Sequence, residues 1–352
     1  MAKRKKKSSR IWLIILLIVA LGTSIGGIYA YKIYRFVYAR NVDIEKDFVY
    51  FYVASDDDYE TVKQKLVDQE IIKNLESFEW VAERKNYQRF VQAGRYRIEN
   101  KQSNNALVNL LRSGMQEPLR ITINNVQTKK QLAGLIGSQL EADSLELYNK
   151  LNDNEYLSQF GFDPVRIMAM IIPNTYEFYW NSSADEFMQR MAGEYKLFWN
   201  DERIAKAKAL NLSQTEVTTL ASIVEKETFR VDEKKRIAGL YLNRVRRGMK
   251  LQADPTVIFA IGDFSIKRVL KEHLKVDSPY NTYKYAGIPP SPICVPEISS
   301  IDAVLDAERH NYLFMCAKED FSGYHNFASN LREHNRNARR YQKALNQRRI
   351  YR

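Results

Sequence analysis

The sequence predicts an α+β protein: a single N-terminal transmembrane helix, a small β-α-α-β module, and a larger α+β domain behind it. Three observations lead there. A charge-free run of 21 residues, 11–31, follows a basic stretch. Between 47 and 114, segments rich in aromatic and β-branched residues bracket segments with helical spacing. From 115 on, amphipathic helical patterns alternate with loops up to about 247, after which the chain is irregular and rich in Pro, Tyr and Asn. With 352 residues, 45% of them hydrophobic and only 14 Gly and 9 Pro, the chain is neither disordered nor low-complexity. It is long enough for two or three folded units and a binding cleft.

The formal charge of +12 suggests a nucleic-acid partner, but its distribution excludes one. Residues 1–10 net +6 and residues 331–352 net +7, which leaves 11–330 at −1. No basic face is required on the body to follow a phosphate backbone.

Residues 1–10 read as a cytoplasmic basic tail and 11–31 as the transmembrane helix, since at about 1.5 Å per residue this run matches the roughly 30 Å hydrocarbon core. The positive-inside rule then puts the N-terminus in the cytoplasm and everything after Tyr31 outside. The apolar run exceeds the h-region of a cleaved signal peptide and lacks an A-x-A site. Gly22-Thr23-Ser24-Ile25-Gly26 matches the G-x-S-x-G pattern by letter only, because that motif needs a strand-to-helix turn above a sheet. Cys294 and Cys316 are too few for a disulfide framework and lack zinc spacing, which allows one bridge or none.

Residues 32–46 read as a juxtamembrane stalk. Phe48-Val49-Tyr50-Phe51-Tyr52-Val53 reads as a strand, 58–69 and 75–85 as helices, and 92–98 as a returning strand. This order over 47–114 resembles LysM-type glycan-binding modules, and a plain α+β spacer fits it equally. A short helix near 105–112 and a strand at 119–123 lead into the larger domain, 115–352.

Within that domain Ser213-Gln214-Thr215-Glu216 is a capping box and starts a helix. Val217, Leu220, Ala221, Val224 and Thr228 follow as one inward stripe. At about 100° per residue, Glu225 lies about 80° to one side of Val217 and Glu227 about 80° to the other, while Lys226 points away. A carboxylate at the edge of a buried stripe loses water, and its pKa rises toward the range a general acid needs. The plain alternative is a pair of boundary glutamates matched with Lys or Arg. Asp254-Pro255-Thr256 reads as a helix start with Asp at the N-cap and Pro at the first helical position, and Gln252 precedes it. Tyr280, Asn281, Thr282 and Tyr283 offer amide, hydroxyl and flat apolar surfaces suited to a sugar, or to an ordinary aromatic turn.

Leu220-Ala221-Ser222-Ile223-Val224-Glu225-Lys226-Glu227-Thr228 resembles the signature of the MltG (YceG-like) endolytic murein transglycosylases. Four further motifs follow that family's order: Pro173-Asn174-Thr175-Tyr176; Leu242-Asn243-Arg244 with Leu251-Gln252-Ala253-Asp254-Pro255-Thr256; Ser278-Pro279-Tyr280-Asn281-Thr282-Tyr283 running to Gly287-Ile288-Pro289-Pro290; and Gly323-Tyr324-His325-Asn326-Phe327 ending in Glu333-His334-Asn335. The likeness spans roughly 115–345. Two departures touch the outer subsites. Asn174 stands where Asp is usual, and Val295-Pro296-Glu297 replaces Asn-Pro-Gly.

The resemblance implies cleavage of the MurNAc-β-1,4-GlcNAc bond in nascent peptidoglycan, leaving 1,6-anhydro ends and terminating strand elongation, with no cofactor and no metal. It implies Glu225 as the catalytic acid/base, or Glu227 if the two are reversed. Glu227, Gln252, Asp254, Tyr280 to Tyr283 and His325 would then support it or bind substrate, with His334 a weaker candidate. Implied partners are glycan strands, the bacterial inner membrane and peptidoglycan synthases. Two rival readings are a non-catalytic membrane-anchored peptidoglycan-binding scaffold and a lyase of small anionic metabolites. The absence of a P-loop, G-x-G-x-x-G or H-E-x-x-H gives no support to nucleotide or zinc chemistry. The basic helix expected over 331–352 reads as a solvated face.

Overall fold

A computed structural model describes residues 5–348. The outer parts of the expected basic tail and C-terminal helix, 1–4 and 349–352, lie outside the described residues. The chain divides into two compact units: one runs to Leu119 and takes in Phe178–Asn181, the other comprises Arg120–Glu177 and the chain from Ser182 on.

In the first unit, α1 (Lys5–Tyr38) is one uninterrupted helix, and its stretch Ile11–Tyr38 is long and apolar enough to cross a membrane. Thr23 and Ser24 donate their hydroxyls to the Ala20 carbonyl within it, as hydroxyl residues do inside a helix, so the G-x-S-x-G letters carry no turn. Next come β1 (Phe48–Val53), α2 (Tyr59–Asp68), α3 (Leu75–Arg84), β2 (Gly94–Glu99) and α4 (Asn104–Ser113). Asp58, Asn74 and Ser103 cap the three helices, each accepting a backbone N–H of the first turn. The strands pair antiparallel from Phe48↔Glu99 to Val53↔Gly94. Their inward residues Phe51, Val53, Tyr96 and Ile98 join Val62, Leu66, Phe78 and Leu107 in one core.

The segment expected as a free stalk, 32–46, differs from that expectation. α1 continues to Tyr38, and Asn41 and Val42 are buried. Asn41 donates to Asn104 Oδ1 (2.7 Å), and Asn104 donates to Ser77 Oγ and to the Phe36 carbonyl (both 2.9 Å). These amides satisfy backbone and side-chain partners at once, which makes burial of the three polar side chains Asn41, Ser77 and Asn104 tolerable and rivets the helix end to the module.

The second unit contains β3 (Leu119–Ile123), α5 (Lys129–Gly137), α6 (Ser144–Lys150), α7 (Asn154–Ser158), β4 (Asn174–Phe178), α8 (Ala184–Phe198), α9 (Asp201–Ala209), α10 (Gln214–Glu227), α11 (Val231–Arg246), α12 (Asp254–Ile261), α13 (Ile298–Leu305), β5 (Phe314–Ala317), β6 (His325–Ala328) and α14 (Leu331–Gln347). β3 pairs with β4, and β5 with β6. Its centre is α10. The Ser213–Glu216 capping box forms as expected, and every residue from Val217 to Val224 is buried against α11, α12 and α13. Eight consecutive buried positions exceed a one-sided stripe. Thr218, Thr219 and Ser222 sit inside by returning their hydroxyls to carbonyls one turn back, and Ser222 Oγ also accepts the Ile293 N–H.

α11 is grooved at Gly239, where the backbone of Glu308 and the ring of His310 lie against the helix. A Cβ there would stand 2.3 Å from the Glu308 carbonyl oxygen and 2.8 Å from His310 Nε2. In an open helix Gly→Ala stabilises by about 1 kcal/mol. Here Gly239→Ala is expected to destabilise by about 1–3 kcal/mol through overpacking. A fall in the Tm of the detergent-solubilised chain would show this; an unchanged or raised Tm would contradict the close approach.

Candidate active site

α10 ends at Glu227 because Thr228 turns extended (φ −148°, ψ 141°). Thr228 Oγ1 then accepts the Arg230 N–H, and α11 begins one residue later. This three-residue link folds the first turns of α11 back beside the end of α10, where the two glutamates diverge.

Glu225 Oε2 accepts from Lys234 Nζ (2.8 Å) on α11 and from Ser300 Oγ (2.5 Å) on α13, while the same Lys234 donates to Ser299 Oγ (3.0 Å). The Lys234 side chain is only 4% exposed. This carboxylate is therefore committed to a buried ammonium and to Ser300 at the start of α13.

Glu227 faces the other way, into a cavity of about 240 Å³ that it lines with Tyr241, Gln252, Asp254, Tyr283 and His325, among others. Tyr241 donates its hydroxyl to Glu227 Oε1 at 2.7 Å. Burial pushes the Glu227 carboxyl above the usual carboxylate range; the charge of Asp254 adds to this, and the Tyr241 hydrogen bond and the nearby His325 and Arg244 partly offset it. Burial and the adjacent glutamate push Tyr241 well above the ordinary tyrosine range, so its hydroxyl stays a donor.

Arg244 props the cavity wall. Its guanidinium donates to the carbonyls of Leu313 (2.6 Å), Lys250 (3.1 Å) and Leu251 (2.8 Å) and to Gln252 Oε1 (3.2 Å). Gln252 takes a positive φ of 53°, unusual for a side-chain-bearing residue, and its N–H donates to the Thr282 carbonyl. His325 opens β6; its backbone N–H (2.9 Å) and its Nδ1 (2.7 Å) both meet the carboxylate of Glu233.

Several expected site residues are partnered differently from the expectation. Asp254 is the first residue of α12, and Ala253 is its N-cap. The Asp254 side chain caps nothing, because it accepts the Tyr283 hydroxyl at 2.5 Å instead. Tyr280 shares a hydrogen with Ser291 Oγ (2.6 Å) and packs on Phe259. Asn281 is fully buried and donates to the Leu274 and Val276 carbonyls. Thr282 Oγ1 accepts the Ala253 N–H and pairs with Thr256 Oγ1. These three spend their polar groups holding the loop, so of the four only Tyr283 reaches the cavity. His334 stacks on Phe314, and burial lowers its pKa. Asn174 is exposed, and Val295 is fully buried with its N–H on the Val126 carbonyl. Both cysteines are free thiols, Cys294 pushed up to about 12 by burial. Among the described residues no group of three or more His, Cys, Asp or Glu is arranged to hold a metal ion.

Tyr241, Lys234, Ser300 and Glu233 were absent from the sequence candidates. Their partners lie 9 to 92 positions away, beyond any local period; Arg244 stood inside a quoted motif without a role.

The profile of the YceG-like family matches residues 51–340. The chain belongs to the YceG-like family. Among curated proteins it is similar to the endolytic murein transglycosylase of Bacillus subtilis (strain 168), 27% identical over 333 residues that cover 89% of this chain and 91% of that one. It is also similar to the endolytic murein transglycosylase of Streptococcus pneumoniae (strain ATCC BAA-255 / R6), 28% identical over 76% of this chain. There the chain spans about half (53%) of the relative's length. Among solved structures, a yceG-like protein from Listeria monocytogenes superposes with a TM-score of 0.57 at 25% identity, covering 83% of this chain and 99% of that one.

A carboxyl whose folded pKa is raised binds its proton more tightly in the fold than in the unfolded chain. Its contribution to stability is neutral below the unfolded value of about 4.3 and becomes a growing penalty above it. Glu227→Gln removes that penalty. Its Tm advantage over the wild type is therefore expected to open as pH rises from about 4; an advantage that shrinks with rising pH would mean that the site stabilises the anion.

Proposed function

We propose that this chain is an endolytic murein transglycosylase that cuts the MurNAc-β-1,4-GlcNAc bond of nascent glycan strands without water as nucleophile. The observation that carries the reading is the raised carboxyl of Glu227 at the mouth of α10, held at one oxygen by Tyr241. The names of the Bacillus and Streptococcus relatives support it.

Glu227, rather than the expected Glu225, is the acid/base in this proposal. Glu225 is turned to the other side of α10, its Oε2 held by the buried Lys234 and by Ser300, and it does not line the cavity. The neutral carboxyl of Glu227 donates its proton to the glycosidic oxygen as the C1–O4 bond breaks, releasing the GlcNAc 4-hydroxyl. Its carboxylate then takes the proton of the muramic acid 6-hydroxyl as O6 bonds to C1, closing the 1,6-anhydro ring. The proton count returns to its start, and no second carboxylate is required because the nucleophile is part of the substrate. The Asp254 carboxylate, in the same cavity, supplies negative charge toward the cationic sugar ring. Gln252 and Tyr283 offer polar and flat surfaces to its substituents.

In the same proposal the first unit, with its β-α-α-β order, is a LysM-like glycan-binding module. α1 anchors the protein in the bacterial inner membrane with the N-terminus cytoplasmic and the catalytic unit outside, and peptidoglycan synthases are its neighbours there. Anchoring concentrates the enzyme where new strands emerge.

Purified glycan strands incubated with the full chain in detergent and ¹⁸O-water test this. The expected products carry 1,6-anhydro ends without label, and Glu227→Gln slows their release by at least about 10²-fold while retaining the fold. Glu225→Gln leaves Lys234 unpaired and is expected to cost about 3–5 kcal/mol of stability. Labelled reducing ends would make the protein a hydrolase. Strand binding without cleavage would make it a scaffold. Loss of activity in a stable Glu225→Gln, with Glu227→Gln active, would restore the roles expected from sequence.

A further inference from the structure

Three helices of the second unit, α5, α8 and α10, begin with a capping box in which the third residue, Gln131, Glu186 or Glu216, bonds back to its own N-cap. α11 has a glutamate at the same position, Glu233, and does not use it this way: its N-cap, Arg230, makes no side-chain cap bond. The Arg230 N–H is already taken by Thr228 Oγ1 at 3.0 Å. Glu233 is thereby released from its usual local partner and reaches 92 residues along the chain to His325.

We infer that Glu233 is a positioning residue, which fixes the orientation and tautomer of His325 so that Nε2 is the ring atom presented to the Glu227 cavity. Glu233 is 3% exposed, and both of its oxygens are engaged, Oε1 by the His325 backbone N–H at 2.9 Å and Oε2 by Nδ1 at 2.7 Å. A carboxylate only accepts, so Nδ1 must carry the hydrogen. In the neutral form of the ring the lone pair then lies on Nε2, the one polar ring atom left for the cavity that His325 lines. Besides His325, the charged and titratable groups around that cavity are Glu227 on α10, Tyr241 and Arg244 on α11, Asp254 on α12, Tyr283, and Cys316 on β5. In this setting a fixed Nε2 acceptor can hold a sugar hydroxyl or the Glu227 proton donor in line. Glu233 does not line the cavity, so it acts through His325 and not on substrate. The neighbouring Lys234 holds Glu225, and one turn of α11 thus holds both a glutamate of the signature motif and the histidine of the hairpin.

The inference rests on the transglycosylase reading, and its test separates the two. Glu233→Gln keeps the shape and one acceptor for the His325 backbone N–H, but turns an amide N–H₂ toward Nδ1 and so reverses the tautomer. In the full chain with ¹⁵N-labelled histidine, the imidazole signal absent from a His325→Ala control is expected to report Nδ1–H in the wild type and Nε2–H in Glu233→Gln. Release of anhydro ends is expected to fall at least about tenfold with Tm unchanged, and Glu233→Gln is expected to add nothing further in a His325→Ala background. If Glu233→Gln keeps wild-type rate and tautomer, or its loss persists without His325, the positioning role is overturned. If the wild type releases no anhydro ends, the transglycosylase reading fails, while the tautomer measurement still decides the geometry.

Discussion

Two glutamates two residues apart on a helix point about 160° apart, and when that helix is buried on nearly all sides they must find different surroundings. α10 imposes this constraint. Its eight consecutive buried residues fix it against α11, α12 and α13, and its end cannot rotate to exchange the two side chains. One carboxylate meets Lys234 and Ser300; the other meets Tyr241 and the cavity. The ion pair and the raised acid are two consequences of one helix phase, and each depends on the other staying in place.

The division suits a site that needs one neutral carboxyl. A buried ammonium near Glu227 would drain its proton; Lys234 is instead neutralised by Glu225 on the far side of the helix. Arg244, which also approaches the cavity, directs its donors to three carbonyls and Gln252. Cationic charge is thus used for scaffolding, while the cavity keeps Glu227, Asp254 and two tyrosines. The resulting penalty in stability is the ordinary cost of a preorganised site.

Much of this was legible in the sequence. The capping box, the inward stripe and the divergence of Glu225 and Glu227 follow from the helix period, and all three are present. The period is symmetric about the stripe, however, and does not say which flank opens to a cavity. That is decided by Tyr241 and Lys234 on the next helix. The run Tyr280 to Tyr283 misleads for a different reason: polar groups that suit a sugar suit loop carbonyls equally. Asn281 and Thr282 are consumed by Leu274, Val276, Ala253 and Thr256. Asp254 read as a cap because Asp-Pro usually starts helices, yet the Tyr283 hydroxyl, 29 residues on, holds its carboxylate. The stalk was missed because Asn41 and Val42 bury through partners some 30 to 63 residues on, at 72–74 and 101–104, which carry no local signal.

The central claim is that the carboxyl of Glu227 holds its proton to higher pH than an ordinary glutamate does. Infrared difference spectra of the full chain across a pH series, Glu227→Gln against the wild type, read this directly through the C=O stretch of a protonated carboxyl. The account predicts that the band missing from Glu227→Gln persists above the usual carboxylate range in the wild type. A band that disappears within or below that range would contradict it.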